Sequence, residues 1–313
     1  MNASAFNPSM RIEPILFSDE ATVVAQFDPA PQTETSYQSE AALEKEFLAQ
    51  LQRQAYEYVT FASDAEMVAN LRRQLEALNH YSFTDAEWER FFAEKIAGHN
   101  DSILEKTRRI QEDHIQVLIR DNGETKNIAL IDKQRIHNNR LQVTNQYTEE
   151  GGAHNTRYDV TILVNGLPLV HVELKRRGVA LKEAFNQINR YQRDSFWAGA
   201  GLYEYVQIFV ISNGTHTKYY SNTTRADHIT EDRPGRPQAK AANSDSFEFT
   251  SWWTDARNQQ IIRLEDFART FFAKHTILAI LTRYCVFTVK EKLLVMRPYQ
   301  IAATEAILQR IHT

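Results

Sequence analysis

The sequence predicts a soluble mixed α/β fold, and three observations carry that prediction. The composition, 42% apolar and 24% charged over 313 residues, is that of an ordinary globular protein. Helical-period runs and short β-branched runs both recur along the chain. Asn165-Gly166 stands between two apolar runs, the strongest hairpin signal in the sequence. At this length one large domain with an extension, or two domains, is expected.

Taken in order, residues 1–35 carry scattered Pro, Ser, Thr and Gln without periodicity and read as a flexible N-terminal arm. Ser39 then caps a helix whose Leu43, Phe47, Leu48 and Leu51 form one buried stripe, with Glu40 and Glu44 beside it. Residues 56–61 read as a short strand. A helical pattern returns over about 65–79, and Thr84 with Glu87 forms a capping-box signature ahead of Trp88, Phe91 and Phe92. Together these helices read as an insertion over about 65–110. Alternation resumes at Ile115, Val117 and Ile119, and Ile128, Leu130 and Ile131 follow an Asp-Asn-Gly turn.

Residues 158–164 and 169–174 are the two arms of the Asn165-Gly166 hairpin. A helix over about 180–195 follows, with Leu181, Phe185 and Ile188 at core spacing, then strands at 206–211 and 218–221. The polar stretch 225–250 reads as a mobile loop ending at Trp252 and Trp253, which suit packing better than base stacking. Residues 251–313 read as mainly helical, with one helix over about 264–285 and another beginning near Pro298 and facing inward through Ile301, Ala302, Ala306 and Ile307.

Cys285 is the single cysteine, so no internal disulfide forms and a reducing cytoplasm fits. The first residues lack a signal peptide's basic start and apolar core, and no window reaches a membrane span. His114, His137, His154 and His171 have no helical i, i+4 partner, which gives no zinc signal. A net charge of −4 argues against an indiscriminate polyanion binder. Locally, however, Lys175, Arg176, Arg177, Lys182, Arg190 and Arg193 crowd one region, opposed by Glu173 and Glu183.

That region also holds the chemistry. Asp159, Glu173 and Lys175 place one acid before the hairpin turn and an acid and a lysine two residues apart after it. Two carboxylates suit a Mg2+ ion that keeps several waters and bridges a phosphate oxygen, and an adjacent lysine can act on the attacking water or on developing charge. Register makes the idea testable, because residues facing each other across an antiparallel pair share a sheet face. A strict two-residue turn pairs Val164 with Leu167 and sends Asp159 to the face opposite Glu173. The shared site therefore requires an odd-length turn or a bulge in one strand, with Gly166 supplying positive φ. Gln187 and Tyr191, four apart on the next helix, share a face suited to orienting substrate or supporting Lys175. Glu44 is a further candidate acid.

On these residues the chain resembles the N-terminal nuclease portion of the restriction subunit of type I restriction-modification enzymes. The PD-(D/E)xK motif corresponds to Asp159 and Glu173-Leu174-Lys175, with Tyr158 in place of the motif's proline, and the Gln-x-x-x-Tyr motif to Gln187 and Tyr191. Runs such as SYQSEAALEKEF and VISNGTHTKYYSNTT extend the likeness from Ser36 onward, marking residues 36–224 as the nuclease domain. The resemblance implies a restriction-endonuclease-like mixed sheet flanked by helices, double-stranded DNA as substrate and Mg2+ as cofactor. It also implies a type I site-specific deoxyribonuclease whose cleavage is coupled to ATP-driven motor domains of the same subunit. Modification and specificity subunits would be its partners, S-adenosylmethionine entering only through the former. Gln300 sits like the adenine-sensing glutamine at the start of such a motor, but no G-x-x-x-x-G-K-[ST] loop is present in this chain.

An acid followed by E-x-K also arises by chance as a surface ion pair. The alternative function is a non-cleaving module that positions DNA and contacts the motor and partner subunits.

Overall fold

In the computed structural model the residues described are 12–13, 23–27, 38–98, 101–149, 156–196, 200–223 and 250–312. Of the mobile loop expected at 225–250, residues 225–249 lie outside them, and Thr250 is buried. A six-stranded mixed sheet is the centre of the fold. Its strands are β3 (Glu57–Tyr58), β6 (Leu141–Glu149), β7 (Thr156–Val164), β8 (Leu167–Leu174), β9 (Ile208–Ser212) and β10 (Thr217–Ser221), in the order β10-β9-β8-β7-β6-β3. Pairing is antiparallel except between β8 and β9 and between β3 and β6. Every residue of β8 is buried, as expected for a strand covered on both faces. The remaining strands form three small hairpins or ribbons: β1 (Ile12–Glu13) with β2 (Gln26–Phe27), β4 (Ile115–Ile119) with β5 (Thr125–Ala129), and β11 (Cys285–Phe287) with β12 (Leu293–Val295).

Helices cover this sheet. α1 (Glu40–Arg53) starts at Ser39, whose side chain accepts the Ala42 N–H at 3.2 Å. α2 (Asp64–Asn79) is capped by Ser63, and α3 (Asp85–Phe91) and α4 (Ile103–Gln111) carry full capping boxes at Thr84/Glu87 and Ser102/Glu105. α5 is Leu181–Asp194, and α6 (Leu264–Thr270), α7 (Lys274–Arg283) and α8 (Pro298–His312) follow. α1 is fixed against α6 and the chain beyond it. Gln50 Nε2 donates to Glu265 O at 2.8 Å, Gln54 Nε2 to Ala268 O at 3.0 Å, and the Tyr56 hydroxyl to Phe272 O at 2.8 Å.

Three expectations change. The helix expected over 264–285 is two helices, because adjacent Phe271 and Phe272 are both fully buried toward different partners: Phe271 against Tyr219 and Trp253, Phe272 against Phe47. The chain leaves helical geometry at Ala273, where ψ is 133°, and residue 285 begins a strand. Within the stretch read as a loose arm, residues 23–27 are packed: Val23, Val24 and Phe27 are buried, and the Val23 N–H donates to Glu305 Oε1 at 3.1 Å. The strand expected at 56–61 shrinks to Glu57–Tyr58, paired in parallel with β6. No helix among the described residues is long and apolar enough to cross a membrane.

Candidate active site

The hairpin meets the parity requirement by a bulge. Asn165 and Gly166 form a two-residue turn with φ of 51° and 83°, and Val164 pairs with Leu167 and Leu163 with Pro168. Then the register shifts: Ile162 pairs with Val170, Thr161 with His171 and Val160 with Val172. Leu169 is the extra residue. Continued by one step, this register sets Asp159 opposite Glu173. The side chains agree, since Thr161 Oγ1 lies 3.3 Å from His171 Nδ1 on the same face. Beyond Val172, β8 continues beside β9, and Asp159 Oδ2 accepts the Leu174 N–H at 2.9 Å. The turn itself is anchored inside the molecule, where the Asn165 side chain bonds Asn139 and Leu130 and accepts the Arg140 N–H.

Lys175 completes the group. Its Nζ donates to Glu173 Oε1 at 2.9 Å and to Leu174 O at 3.0 Å, with Glu40 Oε1 at 3.8 Å. Burial is deep: Asp159 is 7% exposed and Glu173 0%. Burial, reinforced by the Glu173 charge, pushes Asp159 up to about 8. Burial likewise pushes Glu173 up to about 7, with Lys175 acting against it. Burial draws Lys175 down, but the neighbouring carboxylates outweigh it and its pKa ends above the usual lysine value. It stands as an ammonium, suited to stabilising negative charge more than to taking a proton.

Glu173 Oε2 is buried without a hydrogen-bond partner. His171 Nε2 lies 3.5 Å from it, but burial pushes this fully buried imidazole down to about 4. The contact therefore joins a neutral ring to an acid and is no ion pair. Two facing carboxylates, one with an unpartnered buried oxygen, form a donor set that suits a hard divalent cation retaining most of its water. Among the described residues no group of three or more His, Cys, Asp or Glu side chains converges as a metal site.

A cleft of about 780 Å3 opens onto Asp159 between α1 and the sheet, lined by Glu40, Glu44, Lys45, Arg157, Gln187 and their neighbours. Glu44 is buried in its wall, its oxygens bonded by the Asn145 and Gln146 side-chain amides. Gln187 lines the cleft and donates to the Tyr191 hydroxyl, which in turn donates to Arg157 O at 3.0 Å. Tyr191 is 7% exposed and packs edge-on to Tyr158. The pair thus meets as expected, with Tyr191 bonded to β7 rather than to Lys175.

Among the described residues, the basic residues singled out in sequence do not line this cleft. Arg176 and Arg190 are exposed, and Lys182 is half-buried on α5. Arg177 is half-buried beside Gly214, and the Arg193 side chain lies outside the described residues. Among the described residues, Lys45 and Arg157 are the cations that line the cleft. Sequence reasoning passed over them, and also Glu40, although Glu40 and Glu44 are an i, i+4 pair on one helix face. Gln300 is exposed at the start of α8, where its Oε1 accepts the Arg297 N–H at 2.8 Å.

Residues 37–228 match the family model described as the type I restriction enzyme R protein N terminus. The EcoprrI type I restriction enzyme endonuclease subunit of Escherichia coli is 45% identical over 300 residues, covering 96% of this chain and 90% of that protein. The SauMSSORF170P type I restriction enzyme endonuclease subunit of Staphylococcus aureus is 37% identical over 281 residues, covering 88% of this chain but 27% of that protein. A putative type I restriction enzyme endonuclease subunit of Methanocaldococcus jannaschii, MjaIXP, is 33% identical over 122 residues, covering 37% of this chain and 11% of that protein.

Proposed function

The chain belongs to the family of type I restriction enzyme R protein N-termini, and we propose that it is the DNA-cleaving domain of such an enzyme, hydrolysing phosphodiester bonds with Mg2+ at Asp159 and Glu173. The observation that carries this reading is the Leu169 bulge, which sets Asp159, at the wall of an open cleft, opposite Glu173 and its partner Lys175. The relatives named as endonuclease subunits support it.

Asp159 and Glu173 would hold the ion, Asp159 kept in place by the Leu174 N–H and Glu173 by Lys175. A bound Mg2+ supplies neutralisation of a phosphate oxygen and a more acidic water. Lys175, already an ammonium, stabilises the negative charge that grows on the phosphorus oxygens as water attacks. Gln187 presents its amide side to the cleft, and its bond to Tyr191 fixes its orientation relative to β7. Lys45 and Arg157 offer phosphate contacts on the way in.

In the whole enzyme, cleavage would be coupled to ATP-driven movement by domains beyond those of this chain, acting with modification and specificity subunits on double-stranded DNA. The deciding test uses Asp159→Ala, Glu173→Ala and Lys175→Ala in the complete subunit, assembled with its partners. Each is expected to leave DNA movement intact and to lower cleavage by roughly 100-fold or more. Cutting that survives all three substitutions would favour the non-cleaving, DNA-positioning role.

A further inference from the structure

Where β6 passes Asp159 its backbone is irregular. The β6–β7 pairing runs from Leu141 with Val164 to Asn145 with Val160, then resumes in the same register at Tyr147 with Tyr158. Gln146 therefore stands opposite Asp159 at a break in the ladder, and its φ is 56°, in the left-handed region that glycine favours and glutamine does not. Such a conformation is strained and persists only where surrounding contacts enforce it. Here the contact is to Glu44. The Gln146 amide donates to one carboxylate oxygen and the Asn145 amide to the other. The Asn145 amide is set from its far side too, because the Tyr58 hydroxyl donates to Asn145 Oδ1 at 2.7 Å.

Two neutral amides bonded to both oxygens fix a carboxylate's direction without cancelling its charge, which a lysine or arginine partner would do. Glu44 and Asp159 line the same cleft. A tether needed only to hold α1 to the sheet could use any regular strand position. This one uses a strained residue directly across from the acid assigned to the metal. We propose that Asn145 and Gln146 are positioning residues that hold the Glu44 carboxylate at the cleft wall, aimed at the water shell of the cation on Asp159 and Glu173. The proposal rests on the metal-dependent reading above, and its test separates the two.

The experiment is calorimetric titration of Mn2+ into this chain, without DNA, for the wild type, Glu44→Gln, Gln146→Gly, the double variant and Asp159→Ala. Glycine accepts the left-handed backbone, so Gln146→Gly removes the amide without imposing strain. Glu44→Gln is expected to weaken Mn2+ binding about 10-fold, the lower end of the range for groups that orient metal ligands, and Gln146→Gly several-fold, less because the Asn145 amide still holds the other oxygen. The double variant should bind like Glu44→Gln alone, since without the charge there is nothing left to position. The proposal is overturned if either single variant binds Mn2+ like the wild type, or if Gln146→Gly loses the same factor when Glu44 is already glutamine. Wild-type affinity in Asp159→Ala sinks instead the assignment of the metal to Asp159, and a wild-type chain that takes up no Mn2+ sinks both.

Discussion

Asp159 carries the largest electrostatic penalty of the candidate site, since it is buried, faces a second acid and receives only one backbone N–H in return. That penalty has a direction in pH. Its folded pKa of about 8 exceeds the ordinary carboxyl value of 3.8, so its contribution to stability is full below about pH 4 and is lost as pH rises toward 8. In EDTA, the chain should therefore lose stability across that window. Asp159→Asn keeps an oxygen for the Leu174 N–H and removes the buried charge, and it should raise stability near pH 8 by about 2 kcal/mol. Urea unfolding of both proteins near pH 4 and pH 8 measures the difference, and equal slopes with pH would show that Asp159 is not the source. Added Mg2+ should reverse the ranking, stabilising the wild type by about 2.7 kcal/mol at a hundred times its Kd while leaving Asp159→Asn nearly unchanged. The types of these residues were legible in sequence. The depth of their burial was not, because it depends on α1 and β9 closing around β8.

At the scale of elements, the hairpin ties the site to the fold through its turn as well as its bulge. A Cβ on Gly166 would lie 2.7 Å from Leu71 Cα at a φ of 83°, whereas Gly123, with φ of 82°, has nothing within 4 Å. Comparing alanine at the two positions separates strain from collision. Gly123→Ala should cost about 1 kcal/mol from backbone conformation alone. Gly166→Ala should cost roughly 3 kcal/mol or more, because the turn must also move off α2. Equal losses in denaturant titrations would mean that the turn does not press on that helix. Asn-Gly announced this hairpin, and the requirement that Asp159 face Glu173 anticipated a bulge, although nothing in the run LPLVHVEL marks Leu169 as the extra residue. The β11–β12 hairpin was illegible for the opposite reason. Its turn places Glu291 at φ 59°, where glycine or asparagine would have signalled a reversal, and its short strands sit next to a strongly helical run. Gln146 hid a strained position in the same way.

Across the whole molecule, a segment near the start of the chain is fastened to residues far along it. Besides the Val23 bond to Glu305, the Ala256 N–H donates to Ala25 O at 3.1 Å and the Phe27 N–H reaches Asp255 Oδ2 at 3.5 Å. Val23, Val24 and Phe27 belong to the same continuous core as α1 and the central sheet. A chain shortened to begin at residue 36, the boundary its composition suggests, would lose this packing. The loss should be on the order of 1–3 kcal/mol, the remainder after the burial of three apolar side chains is set against the entropy of ordering the segment. This docking energy also limits any single substitution within the segment. Phe27→Ala, which would cost about 3–5 kcal/mol in a core that cannot open, can cost no more here than removing the segment altogether, because the segment can simply detach. Guanidinium titrations of the wild type, Phe27→Ala and the shortened chain check both statements. The two altered proteins should unfold at similar, lower midpoints. An unchanged midpoint in the shortened chain would show that residues 23–27 add nothing to stability, and a Phe27→Ala loss exceeding that of the truncation would show that the segment cannot detach without carrying part of the fold with it.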